Sequence, residues 1–423
     1  MKQFLQAEWP LVIILIILTS FSFWGVKLIP FHPDESTQLF MSSDLEILFT
    51  EPGSLLWKPD QVNDPRQRLR ELDAPITKYL LGLGRVITGQ RALLFDWDWT
   101  KSWEANLIAG AYPDEKLLQT GRLTITFLLP FSLVLIYLIV KRIGTQSMGL
   151  FAVVILGTNA VVLLHGRRAM AEGALLLGVL LATWCILRAH QQPWLIGIGM
   201  ALAFNTKQST LALLPVAIFV LAWLPKDTSH RFKRVVFNLI QFSLVFILIT
   251  LVLNPVFWSH TLDATHSAIT ARRELATQQI EDTQAIAPEK VMKSPARRVF
   301  VLFLNLFISP AEYGLVENLH PTLEDLEAYI NIPGHNMFRG IIFGGIFFVL
   351  ALFGLYMAVR KALTGGITRQ RDLTLVLLST LSMAGGFLVA IQIYWIRYTV
   401  PLVPFVAIWI AYGIASLVNR PSQ

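Results

Sequence analysis

The chain has 423 residues, 54% of them hydrophobic and only 15% charged, whereas soluble domains carry roughly 25% charged residues. That balance excludes an ordinary soluble protein. The net charge of +7 does not imply a nucleic-acid partner, because the basic residues sit in short loops between apolar runs. No glycine-rich phosphate loop and no basic–aromatic alternation accompanies them. The single cysteine, Cys185, excludes an internal disulfide, and no Cys/His cluster has metal-ligand spacing.

The first apolar run, Trp9 to Pro30, is long enough to cross ~30 Å of hydrocarbon. It is too long for a cleaved signal peptide, and no small-residue cleavage site follows it. His32-Pro33-Asp34-Glu35 stands where the chain leaves this run. Carboxylates at a membrane surface are costly and usually functional. An oriented carboxylate suits proton abstraction from a hydroxyl. The competing reading is that the pair caps the next helix. A second copy, Tyr112-Pro113-Asp114-Glu115, precedes the second apolar run, and there the capping reading is favoured.

Candidate spans fall near 10–30, 121–140, 147–164, 169–188, 193–206, 208–224, 235–255, 338–360, 373–393 and 397–417. With the N-terminus inside, the basic loops all fall on the cytoplasmic side. They comprise Lys141 and Arg142; Arg188 and His190; Lys226, Arg231, Lys233 and Arg234; and Arg360, Lys361, Arg369 and Arg371, with Arg420 in the tail. The apolar run 299–313 is short, and counting it as a crossing inverts everything after it. It is therefore expected to be re-entrant or interfacial. Residues 31–120 and 256–337 form two outer loops of a single domain, 1–423. Trp57, Trp97, Trp99 and Trp103 suggest interfacial helices in the first loop. The stretch from Arg272 to Arg298 in the second is expected to be mobile.

Several outer-face charges remain. Arg168 and Glu172 have i,i+4 spacing and can pair across one helical turn. In the alternative, Glu172 is a further site carboxylate and Arg167 and Arg168 serve an anion. Lys207 and Arg397 are isolated cations at membrane depth. Each either snorkels to the headgroups or binds a lipid phosphate.

The order of these pieces resembles the GT-C glycosyltransferases, in the dolichyl-phosphate-mannose–protein mannosyltransferase superfamily and its bacterial polyprenyl-phosphate-sugar relatives. The matching pieces are Asp34-Glu35 and Ala74-Pro75-Ile-Thr-Lys78-Tyr79 with Gly89, then Arg122, Gly166-Arg167…Glu172 and Thr206-Lys207. Asn254-Pro255 and Arg397-Tyr398…Pro401…Pro404 complete the series. Ala74-Pro75 replaces the usual Pro-Pro, Glu172 stands where Asp is common, and no large soluble C-terminal domain is present.

The resemblance implies an all-α polytopic membrane protein, a GT-C bundle of about ten transmembrane helices. It implies transfer of a sugar from a polyprenyl-phosphate donor to a hydroxyl on a protein, lipid or glycan, with inversion. The expected place is the non-cytoplasmic face, of a bacterial plasma membrane. Asp34 would be the base, with Glu35 and Glu172 beside it. Arg397, Lys207, Arg167 and Arg168 would hold the phosphate. His32, Lys78, Tyr79, Arg122 and Tyr398 would position substrate. No cofactor is demanded, although distant relatives with the fold use a divalent metal and that option stays open. A lipid or solute transporter (flippase) and an inactive envelope scaffold are the alternatives. The first would need inverted repeats and midplane charges, which are not seen.

Overall fold

A computed structural model describes residues 2–188, 192–223, 230–312 and 323–418. The expectations placed on His190, Lys226 and Arg420 lie outside these residues. The described chain is helical, with one isolated bridge between Val291 and Ile393 and no sheet among the described residues.

The first span is α1 (Lys2–Trp24), extended by a 3-10 turn. Five short helices follow: α2 (Pro33–Met41), α3 (Asp44–Thr50), α4 (Pro65–Leu72), α5 (Pro75–Thr88) and α6 (Trp103–Ile108). The expected span 121–140 is α7 (Glu115–Thr126) and α8 (Leu129–Ile143), interrupted where Pro130 enters the first turn of α8 without an N–H to donate. The span 147–164 is likewise divided into α9 (Gln146–Gly157) and α10 (Ala160–His165). Asn159 Oδ1 caps α10 by accepting from the backbone N–H groups of Val161 and Val162. Then come α11 (Ala171–Arg188), α12 (Trp194–Phe204), α13 (Leu214–Trp223), α14 (Arg231–Leu253), α15 (Thr261–Ile286), α16 (Pro295–Phe303), α17 (Leu323–Asn331), α18 (Ile341–Thr364), α19 (Arg371–Ala390) and α20 (Val403–Val418).

Seven of the described segments are long and apolar enough to cross a membrane: Glu8–Leu28, Glu115–Ile143, Ala171–Arg188, Arg231–Leu253, Ile341–Thr364, Arg371–Ala390 and Ile396–Val418. Gln146–Gly157, Trp194–Phe204 and Gln208–Trp223 are shorter apolar helices at the remaining expected positions. The chain is an integral membrane protein.

Helices α8, α9, α11, α12 and α20 share the main core through residues such as Leu133, Leu156, Val179, Met200 and Ile408. By contrast α14 and α18 lie at the edge and expose Phe237, Leu244, Leu248, Phe343, Ile346 and Val349, as a lipid-facing helix does. On its other side α18 meets α20 backbone to backbone. A Cβ added to Gly354 would fall 1.9 Å from the Trp409 carbonyl oxygen, and one on Gly413 2.3 Å from that of Leu350.

One end of the bundle carries Glu8, bonded to Tyr137 and Lys141, and Arg142 paired with Asp372. From Glu8 to Leu28 the chain rises about 30 Å, so His32 and the short helices that follow it lie at the opposite end.

The two long polar regions differ from expectation. Trp57 and Trp97 are buried rather than anchored in an interface. Trp57 Nε1 donates to Glu71 Oε1 at 2.6 Å, and Trp97 joins Phe31, Leu39 and Leu117 in a second core. Residues 31–120 are numerous enough to bury their own apolar surface. The stretch after Arg272, expected to be mobile, lies largely in the 26-residue α15. The Arg68–Glu274 ion pair at 3.0 Å and Ser267, which donates to Glu71 at 3.1 Å, tie this helix to α4. The described part of the run 299–313, residues 299–312, begins in α16 and continues as a π-turn, Leu304–Ile308, where Arg339 takes the carbonyls of Asn305 and Ser309.

The Gly354–Trp409 contact leaves no space for a side chain. Gly354→Leu is expected to destabilise the chain by about 1–3 kcal/mol or more, read as a lowered unfolding midpoint in detergent. Leucine at the lipid-facing position Gly345, where an added Cβ meets nothing within 4 Å, is expected to have little effect.

Candidate active site

The acidic pair is set by the start of α2. Pro33 occupies the first turn, His32 Nδ1 accepts from Asp34 N–H at 3.1 Å, and Glu35 Oε2 accepts from His32 N–H at 3.1 Å. This reciprocal capping box fixes both carboxylates. Adjacent helical residues point about 100° apart, so the two diverge. Glu35 is fully buried. Its Oε1 accepts from Arg122 Nε at 2.8 Å and from Ala169 N–H at 2.9 Å, and its Oε2 accepts from Arg122 Nη2 at 2.8 Å. Arg122 Nη1 also donates to Ile29 O at 2.8 Å. Glu35 thus clamps α2 to α7 and to the turn before α11. It does not face open space, which corrects the expectation that it works beside Asp34 as a catalytic carboxylate.

Asp34 turns the other way, its side chain 32% exposed, and pairs with Arg397. Arg397 is therefore not a lone cation. Its guanidinium also lies over the Trp395 ring, 5.0 Å from the centroid. Burial, then the Arg397 and Arg168 charges, hold His32 well below its usual value, so its ring is neutral. Because Nδ1 accepts, Nε2 carries the proton, and the 3.5 Å approach of Arg397 Nη1 to Nε2 is a contact rather than a hydrogen bond.

The expected Arg168–Glu172 pair does not form. Helix α11 begins only at Ala171, so Arg168 lies in the preceding turn and the i,i+4 geometry does not apply. Arg168 pairs with Glu312 at 2.6 Å and Glu172 with Lys207 at 2.7 Å. Burial opposes ionisation of Glu312, but the Arg168 charge holds it at about 2. Arg167 is buried apart from them, donating to Tyr329 Oη at 3.3 Å and Phe21 O at 3.0 Å. Lys207 Nζ lies 5.7 Å from the Tyr398 ring centre, which brings Tyr398 beside this group.

Lys78 and Tyr79 serve the scaffold. Lys78 Nζ meets Asp44 Oδ2 at 2.8 Å, where Arg70 adds a two-pronged contact at 2.8 and 3.0 Å. Tyr79 Oη donates to Leu253 O at 3.1 Å, joining α5 to the end of α14. Asp114 caps α7, its Oδ1 accepting from Leu117 N–H at 2.9 Å, in line with the capping reading.

The sequence reading missed Glu312, Asp73 and Asp96. Burial first, then the Asp34 and Asp73 charges, push Asp96 up to about 6. Asp73 beside Ala74-Pro75 was within reach of a motif search, whereas Asp96 and Glu312 carried no local signal. Among the described residues no three His, Cys, Asp or Glu side chains are grouped to hold a metal ion.

Residues 120–258 match the sequence model of the family described as dolichyl-phosphate-mannose-protein mannosyltransferase. Two structures of the Archaeoglobus fulgidus oligosaccharyltransferase are similar in fold. One, tethered to an acceptor peptide, aligns with TM-score 0.52 and 11% identity over 99% of this chain and 50% of its own. The other, with zinc and sulfate, aligns with TM-score 0.52 and 12% identity over 96% and 49%. ArnT from Cupriavidus metallidurans, bound to undecaprenyl phosphate, aligns with TM-score 0.51 and 13% identity over 98% and 61%. The chain thus spans about half to three fifths of the length of these neighbours. A sequence comparison with curated proteins finds no match.

Removing one partner of the buried clamp leaves an uncompensated charge. Arg122→Ala is expected to cost about 3–5 kcal/mol, measured by denaturant unfolding in detergent. Replacing both partners, Glu35→Leu with Arg122→Met, should recover much of that loss. Equal stability of Arg122→Ala and the parent chain would show the clamp to be dispensable.

Proposed function

We propose, starting from a chain that is a GT-C protein by fold and, over 120–258, by sequence, that it moves a sugar from a polyprenyl-phosphate donor to a hydroxyl acceptor on the non-cytoplasmic face. The observation that carries the reading is the Asp34–Arg397 pair. It sets a partly exposed carboxylate beside a cation at one end of the bundle, with the Lys207–Glu172 pair also reaching Tyr398, the neighbour of Arg397.

Asp34 takes the proton of the acceptor hydroxyl as its oxygen attacks the anomeric carbon. The bond from that carbon to the phosphate oxygen breaks, its electron pair leaves with the lipid phosphate, and the configuration inverts. Arg397 and Lys207 stabilise the departing phosphate, the electrostatic contribution such a displacement needs. An arginine has five N–H donors, so Arg397 can keep Asp34 oriented while meeting a phosphate oxygen. Glu35 and Arg122 position Asp34 and do not touch substrate. The dolichyl or undecaprenyl identity of the lipid, the sugar, and a protein, lipid or glycan acceptor follow from substrate panels. The bacterial plasma membrane is the proposed location. The basic residues Lys141, Arg142 and Arg371 support the face, since they lie at the end opposite Asp34.

Asp34→Asn is expected to lower transfer by roughly 10²–10⁴, with donor binding kept, while Asp114→Asn retains most activity. The assay scores lipid phosphate released from a panel of polyprenyl-phosphate sugars. Donor affinity without acceptor should fall more in Arg397→Ala than in Arg397→Lys, which keeps the charge but loses the fork. Wild-type turnover in Asp34→Asn would remove the base from this mechanism.

The face is tested separately. Single cysteines at exposed Trp99 and Glu274, in a Cys185→Ser background, should react with a membrane-impermeant thiol reagent added from outside intact cells. Labelling only after lysis would place Asp34 on the cytoplasmic side.

A further inference from the structure

The polarity of α5 is reversed relative to a helix in water. At about 100° per residue, Ile76, Tyr79, Leu80, Leu83, Val86 and Ile87 fall within one stripe roughly 120° wide, with Lys78, Leu81 and Arg85 on the opposite side. The charged side is the buried one. Lys78 meets Asp44 at 2.8 Å, and Arg85 donates to Ser42 Oγ at 2.7 Å and pairs with Glu46. The apolar stripe turns outward: Leu83 and Val86 are half exposed, and Ile87 is 74% exposed.

Two membrane spans fix the height of this helix. A Cβ added to Gly84 would fall 2.0 Å from Thr124 Oγ1, so α5 rests on α7 there. Tyr79 Oη donates to Leu253 O at the end of α14. Thr124 stands about 27 Å along its span from Arg142, and Leu253 about 30 Å along α14 from Lys233. Both contacts therefore fall where ~30 Å of hydrocarbon ends. Beside each contact the span already turns apolar side chains outward. Next to Thr124, Leu123 and Phe127 are exposed; next to Leu253, Val252 is exposed, with Leu248 one turn below it. The stripe of α5 continues these two lipid-facing surfaces at the same level.

We propose that the apolar stripe of α5 lies in the hydrocarbon edge of the leaflet at the Asp34 end, with the acyl chains of the bilayer as its partner. The stripe carries no charge, and the one polar atom in its side chains, Tyr79 Oη, is already bonded to Leu253 O. An interfacial helix buries such a face among acyl chains, and here the opposite face is satisfied by protein instead of water. Immersion also sets a depth. Ile76 N–H donates to Asn205 O at 3.0 Å, two residues before Lys207. A helix held at the hydrocarbon edge thus holds that turn, with its Lys207–Glu172 pair, at the membrane surface. None of this depends on sugar transfer.

The test uses the full chain in phosphatidylcholine–phosphatidylglycerol nanodiscs, in a Cys185→Ser background. A nitroxide is attached to single cysteines in Leu83→Cys, Val86→Cys and Ile87→Cys. Leu244→Cys on α14 is the lipid reference and Glu274→Cys on α15 the water reference, both positions being exposed. Each variant is checked for the melting temperature of the parent, and one that fails to fold leaves the others to decide. Power saturation reads collisions with oxygen, which concentrates in hydrocarbon, and with a neutral nickel chelate, which stays in water. Labels on α5 are expected to collide with oxygen as at Leu244 and to lose the chelate collisions seen at Glu274. Chelate access equal to that at Glu274 overturns the proposal, because the stripe then faces water. Loss of both kinds of collision overturns it too, because a second copy or another protein then covers the stripe.

Discussion

A carboxylate with no solvent contact persists only where donors surround it, and Glu35 meets that condition with donors from three parts of the chain. Arg122 comes from α7, Ala169 N–H from the turn before α11, and His32 N–H from the cap of α2. Breaking any of them exposes a buried charge, so the mutual placement of these segments is tightly specified. Asp34 follows by helix geometry: once Glu35 points inward, its neighbour must point aside, toward Arg397. The buried member of the acidic pair is thus what aims the exposed one.

Charge in this molecule is sorted into closed pairs at the Asp34 end. Arg397 with Asp34, Lys207 with Glu172 and Arg168 with Glu312 join residues from distant segments, and the last brings the end of the 256–312 stretch under the core helices. Such pairs offset the desolvation each ion would otherwise suffer near the membrane. They also mean that a phosphate reaching this end meets cations already oriented, so little side-chain ordering remains to be done on binding.

The sequence carried what depends on local pattern. Apolar runs marked each of the seven long apolar segments, the Pro-Asp-Glu motifs marked two helix starts, and the separation of Asp34 from Arg397 by nearly the whole chain did not hide either residue, because each stood beside an apolar run. What it could not carry was pairing. Arg168 and Glu172 satisfied the helical spacing but chose partners 144 and 35 residues away, because the helix starts after Arg168. Trp57 and Trp97 looked like interface anchors until the first long loop proved to have a core of its own. Polar α15 gave no hydrophobic stripe, since ion pairs and hydrogen bonds to α4 hold it. Asp73 was legible only through the neighbouring Ala74-Pro75, and nothing in the neighbourhood of Asp96 announces it.

The glycine seam between α18 and α20 bears on how a lipid reaches this end of the bundle. With Gly354 against the Trp409 carbonyl and Gly413 against that of Leu350, the two backbones touch and no gap remains at that level for an isoprenoid tail. Lateral entry between these two helices is closed at that level, so under the proposed function a tail whose headgroup meets Arg397 passes between a different pair of helices.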